Sequence, residues 1–339
     1  MEIRTYQLAR KLSRLAGAHV GEGSDPEVFR YLEMHADQTP AYGFGAGSPY
    51  ALADLANIAF VYPTEMPVNL SILASALERL KGLQDPVTGL FNEVSHHPIH
   101  TTACSIAALA RHDQAPAFRV AALDKYLERG AISHALDAVR WDVNPWRDSN
   151  IPVGIIATLV LTLGRDATKD VEREFFQWLD QHVDRSLGLW RRGKIFQEGR
   201  RGHFTHIAAA FHLLFLYDYL DREFPCPAEL FEECCKFLDK RSEMAFNREP
   251  GYIEVDLFYC LLRAGRRVVS PSELFDLVTP FCSDFLDGLE SWCDVTRSSD
   301  MHKLFGSLLM TCEINSLFID AQKSRPEILH HPLKKAPYV

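Results

Sequence analysis

The chain of 339 residues is 47% hydrophobic and 24% charged, and its formal net charge is −9. That composition supplies a large core, while the acidic balance excludes the basic face that a general nucleic-acid binder needs. The longest apolar run, Ile151 to Gly164, is too short to span a bilayer, so it reads as a buried helix and no transmembrane segment is expected. The first residues, MEIRTYQLARKLSRLAG, are amphipathic and lack an apolar stretch followed by a small-residue cleavage site, so no secretory signal is expected. Eight cysteines without a CxxC pair read as reduced thiols in a cytoplasmic protein.

Taken in order, the chain repeats a pair of helices at intervals of roughly 45 to 50 residues, within the period range of repeat architectures. Strand-type alternation is scarce and the 3.6-residue period dominates. The first pair has an outer helix near Asp25 to Ala36 and an inner helix from Pro49. The second runs from Val68 to Leu83 outside, turns through Asp85 to Phe91, and continues inside from His100. The third places Phe118 to Arg140 outside in two pieces and turns through Trp141 to Asn150 into the apolar helix after Ile151.

The fourth pair has Asp170 to Val183 outside and Gly202 to Leu220 inside. The fifth has Pro227 to Arg241 outside and Gly251 to Gly265 inside. The sixth has Pro271 to Leu289 outside and Ser299 to Phe318 inside. Asp25-Pro26 and Ser270-Pro271 supply N-cap chemistry for outer helices. The inner helices are apolar on nearly every side, as in Gly202 to Leu220, and helices of that kind are buried. These pairs define one domain over residues 1–325. Residues 326–339, containing Pro and Lys, read as a surface tail.

Six helical hairpins with inner helices around a cavity resemble the (α/α)6 toroid folds. Those include six-hairpin glycosidases, polysaccharide lyases, sugar epimerases, and the terpenoid cyclase and prenyltransferase toroids. The stretch Gln84-Asp85-Pro86-Val87-Thr88-Gly89-Leu90-Phe91, followed by His100-Thr101-Thr102-Ala103-Cys104, looks like a cyclase–prenyltransferase repeat. Asp85 to Phe91 and Gly188-Leu189-Trp190 also look like hairpin turns of unsaturated-uronyl hydrolases. The resemblance implies an all-α fold of two concentric helix rings. The DxDD run of protonating cyclases is absent, and so are the zinc set of protein prenyltransferases and the Asn-Gly-Trp of uronyl hydrolases.

In such a ring the polar residues at the inner-helix starts meet at one mouth, and the opposite ends carry few comparable groups. Paired carboxylates for glycoside cleavage must stand about 5 to 9.5 Å apart. Asp148 is expected to work as acid or base, with Glu254 or Asp256 as partner. Glu254 and Asp256 are two apart on a helix and cannot both face one cavity, so one of them is structural. His203 and His206, one turn apart, are expected to bind or to abstract a proton.

Substrate binding is assigned to His97, His100, Trp146, Arg147, Asn150, Trp190, Arg192, Tyr252, Asp300 and His302. Among these, Arg147 or Arg192 would clamp an acid group, and Trp146 and Trp190 would stack on a sugar. A metal ion could be held by His97, His100, His203 and His206 with an Asp, but no HExxH motif is present and no cofactor is assigned. The expected function is a glycoside hydrolase or lyase on an oligosaccharide or uronate-containing sugar. The alternatives are an isoprenoid-type toroid enzyme, with a deep aromatic cavity lacking a carboxylate pair, and a non-catalytic helical scaffold without an open cavity.

Overall fold

A computed structural model describes residues 48–61, 70–192, 200–239, 252–295, 301–322 and 331–338. The outer helix expected near Asp25 to Ala36 and the expected site residue Asp300 lie outside the described residues. The described residues are all-α apart from two two-residue strands.

The helices are α1 (Pro49–Val61), α2 (Leu70–Gly82), α3 (Pro98–Arg111), α4 (Ala131–Asp137), α5 (Pro145–Leu163), α6 (Arg165–His182), α7 (Arg200–Tyr219), α8 (Pro227–Asp239), α9 (Tyr252–Gly265), α10 (Pro271–Val295), α11 (Met301–Gln322) and α12 (Pro332–Lys335), with a 3-10 helix at Ala121–Leu127 before α4. No described helix is long and apolar enough to cross a membrane.

The apolar helices form a cycle of contacts. Helix α1 lies against α3, α3 against α5, α5 against α7, α7 against α9, α9 against α11, and α11 returns to α1. Amphipathic helices cover them: α2 covers α1, α6 and α4 cover α5, α8 covers α9, and α10 covers α11. Small residues let the inner helices approach closely. A Cβ on Gly154 of α5 would sit 3.2 Å from Ala103 of α3.

Two turns that lead from an outer to an inner helix share one design, as their sequences suggest. In the first, the Gly89 amide donates to the Asp85 carbonyl at 2.8 Å, and the Asp85 side chain accepts from the amides of Val87 and Thr88. In the second, the Gly188 amide donates to the Asp184 carbonyl at 2.8 Å, and the Asp184 side chain accepts from Ser186. Both glycines have positive φ, 73° and 66°. A Cβ on Gly89 would meet the Arg119 carbonyl oxygen at 2.1 Å. Only glycine satisfies both the dihedral and the space. The second turn carries β1 (Val183–Asp184) paired with β2 (Leu189–Trp190).

Two boundaries differ from the sequence reading in ways that matter for the site. Helix α5 begins at Pro145, so Trp146, Arg147, Asp148 and Asn150 belong to its first two turns and not to a loop. The Asn144 side chain caps it by accepting from the Arg147 amide, and Pro145 occupies the first helical position, where no amide is needed.

The second correction concerns the tail. Residues 331–338 are not a surface tail: Leu333 is 5% exposed and Ala336 and Tyr338 are 0% exposed, with only Lys334 and Lys335 turned to solvent. Helix α12 touches α1, α3 and α7. Helix α7 is not a neighbour of α1 or α3 in the cycle, so the segment fills the interior between them. Arg111 of α3, itself buried, holds it by donating to the carbonyls of Pro332, Ala336 and Tyr338, and also to Asn57 of α1.

The expectation of few polar groups at the C-terminal ends of the inner helices is also overturned. Arg263 of α9 makes a two-pronged pair with Glu313 of α11 at 2.9 and 3.0 Å and also engages Asp218 of α7. His331 donates to Glu313 at 2.6 Å. These side chains tie three inner helices to the buried segment, which is a structural task.

Candidate functional site

At the other end of the inner helices lies a cavity of about 390 Å³ to which every member of the cycle contributes. Helix α1 supplies Tyr50, α3 supplies His100 with His96 just before it, and α5 supplies Trp146, Arg147 and Asn150 with Asn144 before it. Helix α7 supplies Phe211 and His212, α9 supplies Tyr252 and Asp256, and α11 supplies His302. Except on α7, these residues fall within the first two turns of their helices or just before them.

One wall is a run of rings. His96 stacks on Tyr50 with centroids 4.5 Å apart, His302 meets Tyr50 edge-on at 4.9 Å, and Tyr252 stacks on His302 at 4.1 Å. Two of these imidazoles are oriented by carboxylates from behind: His96 by Glu93, and His302 through Nδ1 by Asp54 at 3.2 Å. With Nδ1–H donating to Asp54, a neutral His302 carries its lone pair on Nε2.

Beneath this wall His100 is bonded on both ring nitrogens, from Nε2 to the Tyr50 hydroxyl at 3.1 Å and from Nδ1 to the Tyr338 hydroxyl at 2.7 Å. The tautomer follows from the far end of the chain. The Asn150 carbonyl can only accept, so the Tyr338 hydroxyl donates to it at 3.1 Å and accepts from His100 Nδ1–H. Nε2 of His100 then accepts from Tyr50. Burial, reinforced by the neighbouring histidines, holds His100 well below the usual imidazole range, so it is a neutral floor. His212, pulled down to about 3 by burial, is likewise neutral and shares a hydrogen bond with Ser149 at 3.0 Å.

Among the residues that line the cavity, those with unsatisfied groups are on helix α9. The Tyr252 hydroxyl and both carboxyl oxygens of Asp256 are buried and have no hydrogen-bond partner of normal geometry. They are four residues apart, so they lie one above the other on one helix face, and both line the cavity. Burial raises the Asp256 carboxyl well above its ordinary range, and the Glu254 charge adds to that, while the nearby Trp146 indole opposes it only in part. The protonated form of Asp256, which lines the cavity, is therefore favoured relative to an ordinary carboxyl. Glu254 does not line the cavity.

The raised Asp256 carries a stability consequence. The folded chain keeps the proton while the unfolded chain releases it above about pH 4, so linkage costs stability increasingly as pH rises from there. Asp256→Asn is expected to melt progressively higher than wild type between pH 4 and pH 8. A melting-temperature difference that does not change with pH would contradict the assignment.

The expected site residues divide. His100, Trp146, Arg147, Asn150, Tyr252, Asp256 and His302 come together in the cavity. Asp148 does not join them; Arg140 binds it at 2.7 and 3.1 Å, in a neighbouring cavity. His97 caps α3 by accepting from the Ile99 amide and lines that same neighbouring cavity. His203 lies 2.9 Å from Glu233, and His206 donates to the Trp190 carbonyl and is pulled down to about 4 by burial. Trp190 is a buried wedge whose indole donates to Leu179, and Arg192 pairs with Asp137.

His203 and His206 fall outside because α7 starts well before its neighbours. At a rise of 1.5 Å per residue, His203 and His206 stand about 13 Å and about 9 Å along the helix from His212. Among the described residues no group of three or more His, Cys, Asp or Glu is spaced to hold a metal ion. Compared with family models, with curated proteins and with solved structures, the chain finds no match.

Proposed function

We propose that the chain is an (α/α)6 toroid whose mouth cavity is the active site of a carbohydrate-active enzyme, a lyase acting on a uronate-containing oligosaccharide. The observation that carries this reading is the pair of orphan groups on α9. A buried hydroxyl without a partner and a buried acid met only by the Trp146 indole, stacked on one face of a cavity, are held at a cost that a ligand relieves. The closed cycle of helix contacts supports the toroid. Aromatic faces from Trp146, Tyr252 and Phe211 beside Asn144, Asn150 and Arg147 suit a pyranose with its apolar faces and polar rim.

The chemistry follows from protonation states. In β-elimination a base takes the proton next to the uronate carboxylate, a carbon–carbon double bond forms, and the glycosidic carbon–oxygen bond breaks with protonation of the leaving oxygen. His302, oriented by Asp54, is the base. Protonated Asp256 gives its proton to the leaving oxygen. Arg147 neutralises the substrate carboxylate as charge develops on it. Retaining or inverting hydrolysis needs a second carboxylate facing the first across the bond, and the carboxylates nearest the ring wall, Asp54 and Glu93, are engaged by histidines.

One observation favours a second reading: an aromatic cavity with a single protonated acid also suits an isoprenoid cyclase. The cavity's four histidines, two asparagines and one arginine weigh toward the sugar. A scaffold would be expected to close the cavity and satisfy its polar groups; the open cavity and the unpartnered atoms of Tyr252 and Asp256 weigh against that reading.

The test is turnover of uronate-containing and neutral oligosaccharides, following unsaturated product and reducing ends together. Unsaturated product should form with wild type and fall by about 10²- to 10⁴-fold in His302→Ala and in Asp256→Asn. Reducing ends without unsaturation would replace elimination by hydrolysis. Consumption of isoprenoid diphosphates, with no sugar turned over, would favour the second reading.

A further inference from the structure

A second and larger cavity, of about 540 Å³, adjoins the mouth on its outer side. It lies between the start of α3, the first turns of α5, helix α4 and the 3-10 helix, and its size falls within the range of about 300–1,000 Å³ typical of small-molecule sites. The partition between the two cavities is thin. The consecutive residues His96 and His97 line opposite cavities, and Arg147 lines both.

The composition of this second cavity is informative. Its other guanidinium, Arg140, is neutralised by Asp148 through two hydrogen bonds. No carboxylate pairs with Arg147 among the described residues, so its charge serves the partition itself. The floor is one face of α4 and its C-cap, where Ala131, Ala135 and Ala138 recur at helical spacing beside His134, and Tyr126 stands next to it. A neutral His97 whose Nδ1 accepts the Ile99 amide carries its proton on Nε2, as a donor. A floor made mostly of alanines, an aromatic ring, and polar donors and acceptors at the rim are what a second pyranose unit requires.

We infer that this outer cavity is a second subsite, which takes the next unit of an acidic oligosaccharide while Arg147 holds a carboxylate at the junction of the two units. The inference rests on the carbohydrate reading above and adds to it that the substrate spans at least two units.

Calorimetric titration of the full chain with hexuronate monomers and with their trimers tests it. For wild type the trimer of at least one hexuronate should bind ten times more tightly than its monomer, or better. Ala135→Trp, which fills the outer cavity, should abolish that advantage and leave monomer binding unchanged. Tyr126→Ala, which adds no bulk and so guards against misfolding, should reduce the advantage several-fold, and Arg147→Gln should weaken monomer and trimer alike. Equal affinities for monomer and trimer in wild type would overturn the subsite and leave the mouth reading intact. So would a trimer advantage that survives in a folded Ala135→Trp. Absence of binding by every uronate would overturn the carbohydrate reading and the subsite with it.

Discussion

Arg111→Met is expected to destabilise the protein by about 3–5 kcal/mol and to free the segment that Arg111 holds. The guanidinium is 2% exposed and bonded to three backbone carbonyls and Asn57. Burial draws it down to about 10, which leaves it charged at neutral pH. Methionine fills similar volume but donates nothing, so three buried carbonyls lose a charged donor, each worth about 1–3 kcal/mol when left unmet. Denaturant unfolding measures the loss. Limited tryptic digestion measures the release, because Lys334 and Lys335 would become cleavable once residues 331–338 undock. Arg111→Lys should rescue little, since one ammonium cannot span the carbonyls that the planar fork reaches. A variant as stable and as protease-resistant as wild type would show that the segment is held by its apolar contacts alone.

Glu313→Gln is the second large effect, again about 3–5 kcal/mol, because it leaves Arg263 buried with half its counter-charge gone. Burial alone would raise the Glu313 carboxyl, but Arg263 first and then His331 overcome that and hold it far below the carboxylate range. A depressed folded-state pKa gives stability that is present above the unfolded value of about 4.3 and is lost as pH falls below it. The gap between wild type and Glu313→Gln should therefore be widest near neutrality and narrow on acidification through pH 4. Both differences grow with pH but in opposite directions: Glu313→Gln falls further below wild type, and Asp256→Asn rises further above it. A gap that stays constant down to pH 3 would mean that the charge on Glu313 contributes nothing.

The inner helices were legible because burial on all sides leaves a plain mark, an apolar stretch with small residues and no polar stripe. The hairpin turns were legible because the Asp-to-Gly spacing of Asp85–Gly89 and Asp184–Gly188 is set by local hydrogen bonds. The start of α5 also carried its signal, since Asn144-Pro145 is an N-cap followed by a first-turn proline, but Trp141 to Asn150 reads as loop when its aromatics and charges are given more weight. His212 carried no signal at all. It sits in the middle of an apolar helix, and only the axial offset of α7 brings it to the level of residues that begin other helices. Tyr338 was hidden for a related reason: its Pro- and Lys-containing surroundings look solvated, and what buries it is an arginine more than two hundred residues earlier. Asp148 was misplaced because helix position predicts which end of the bundle a side chain occupies, but not which neighbour claims it.

The return of α11 onto α1 has a consequence for how the molecule is made. Each inner helix has two flanking partners, and those of α1 come from opposite ends of the described sequence. A nascent chain can assemble α1 through α9 by adding neighbours in order, with mostly short-range encounters. Until α11 has left the ribosome, however, the outer flanks of α1 and α9 stay open, and both are apolar. Closure is a single long-range event, slow because of the loop entropy it must overcome. The partly made chain is therefore most exposed to aggregation just before α11 emerges.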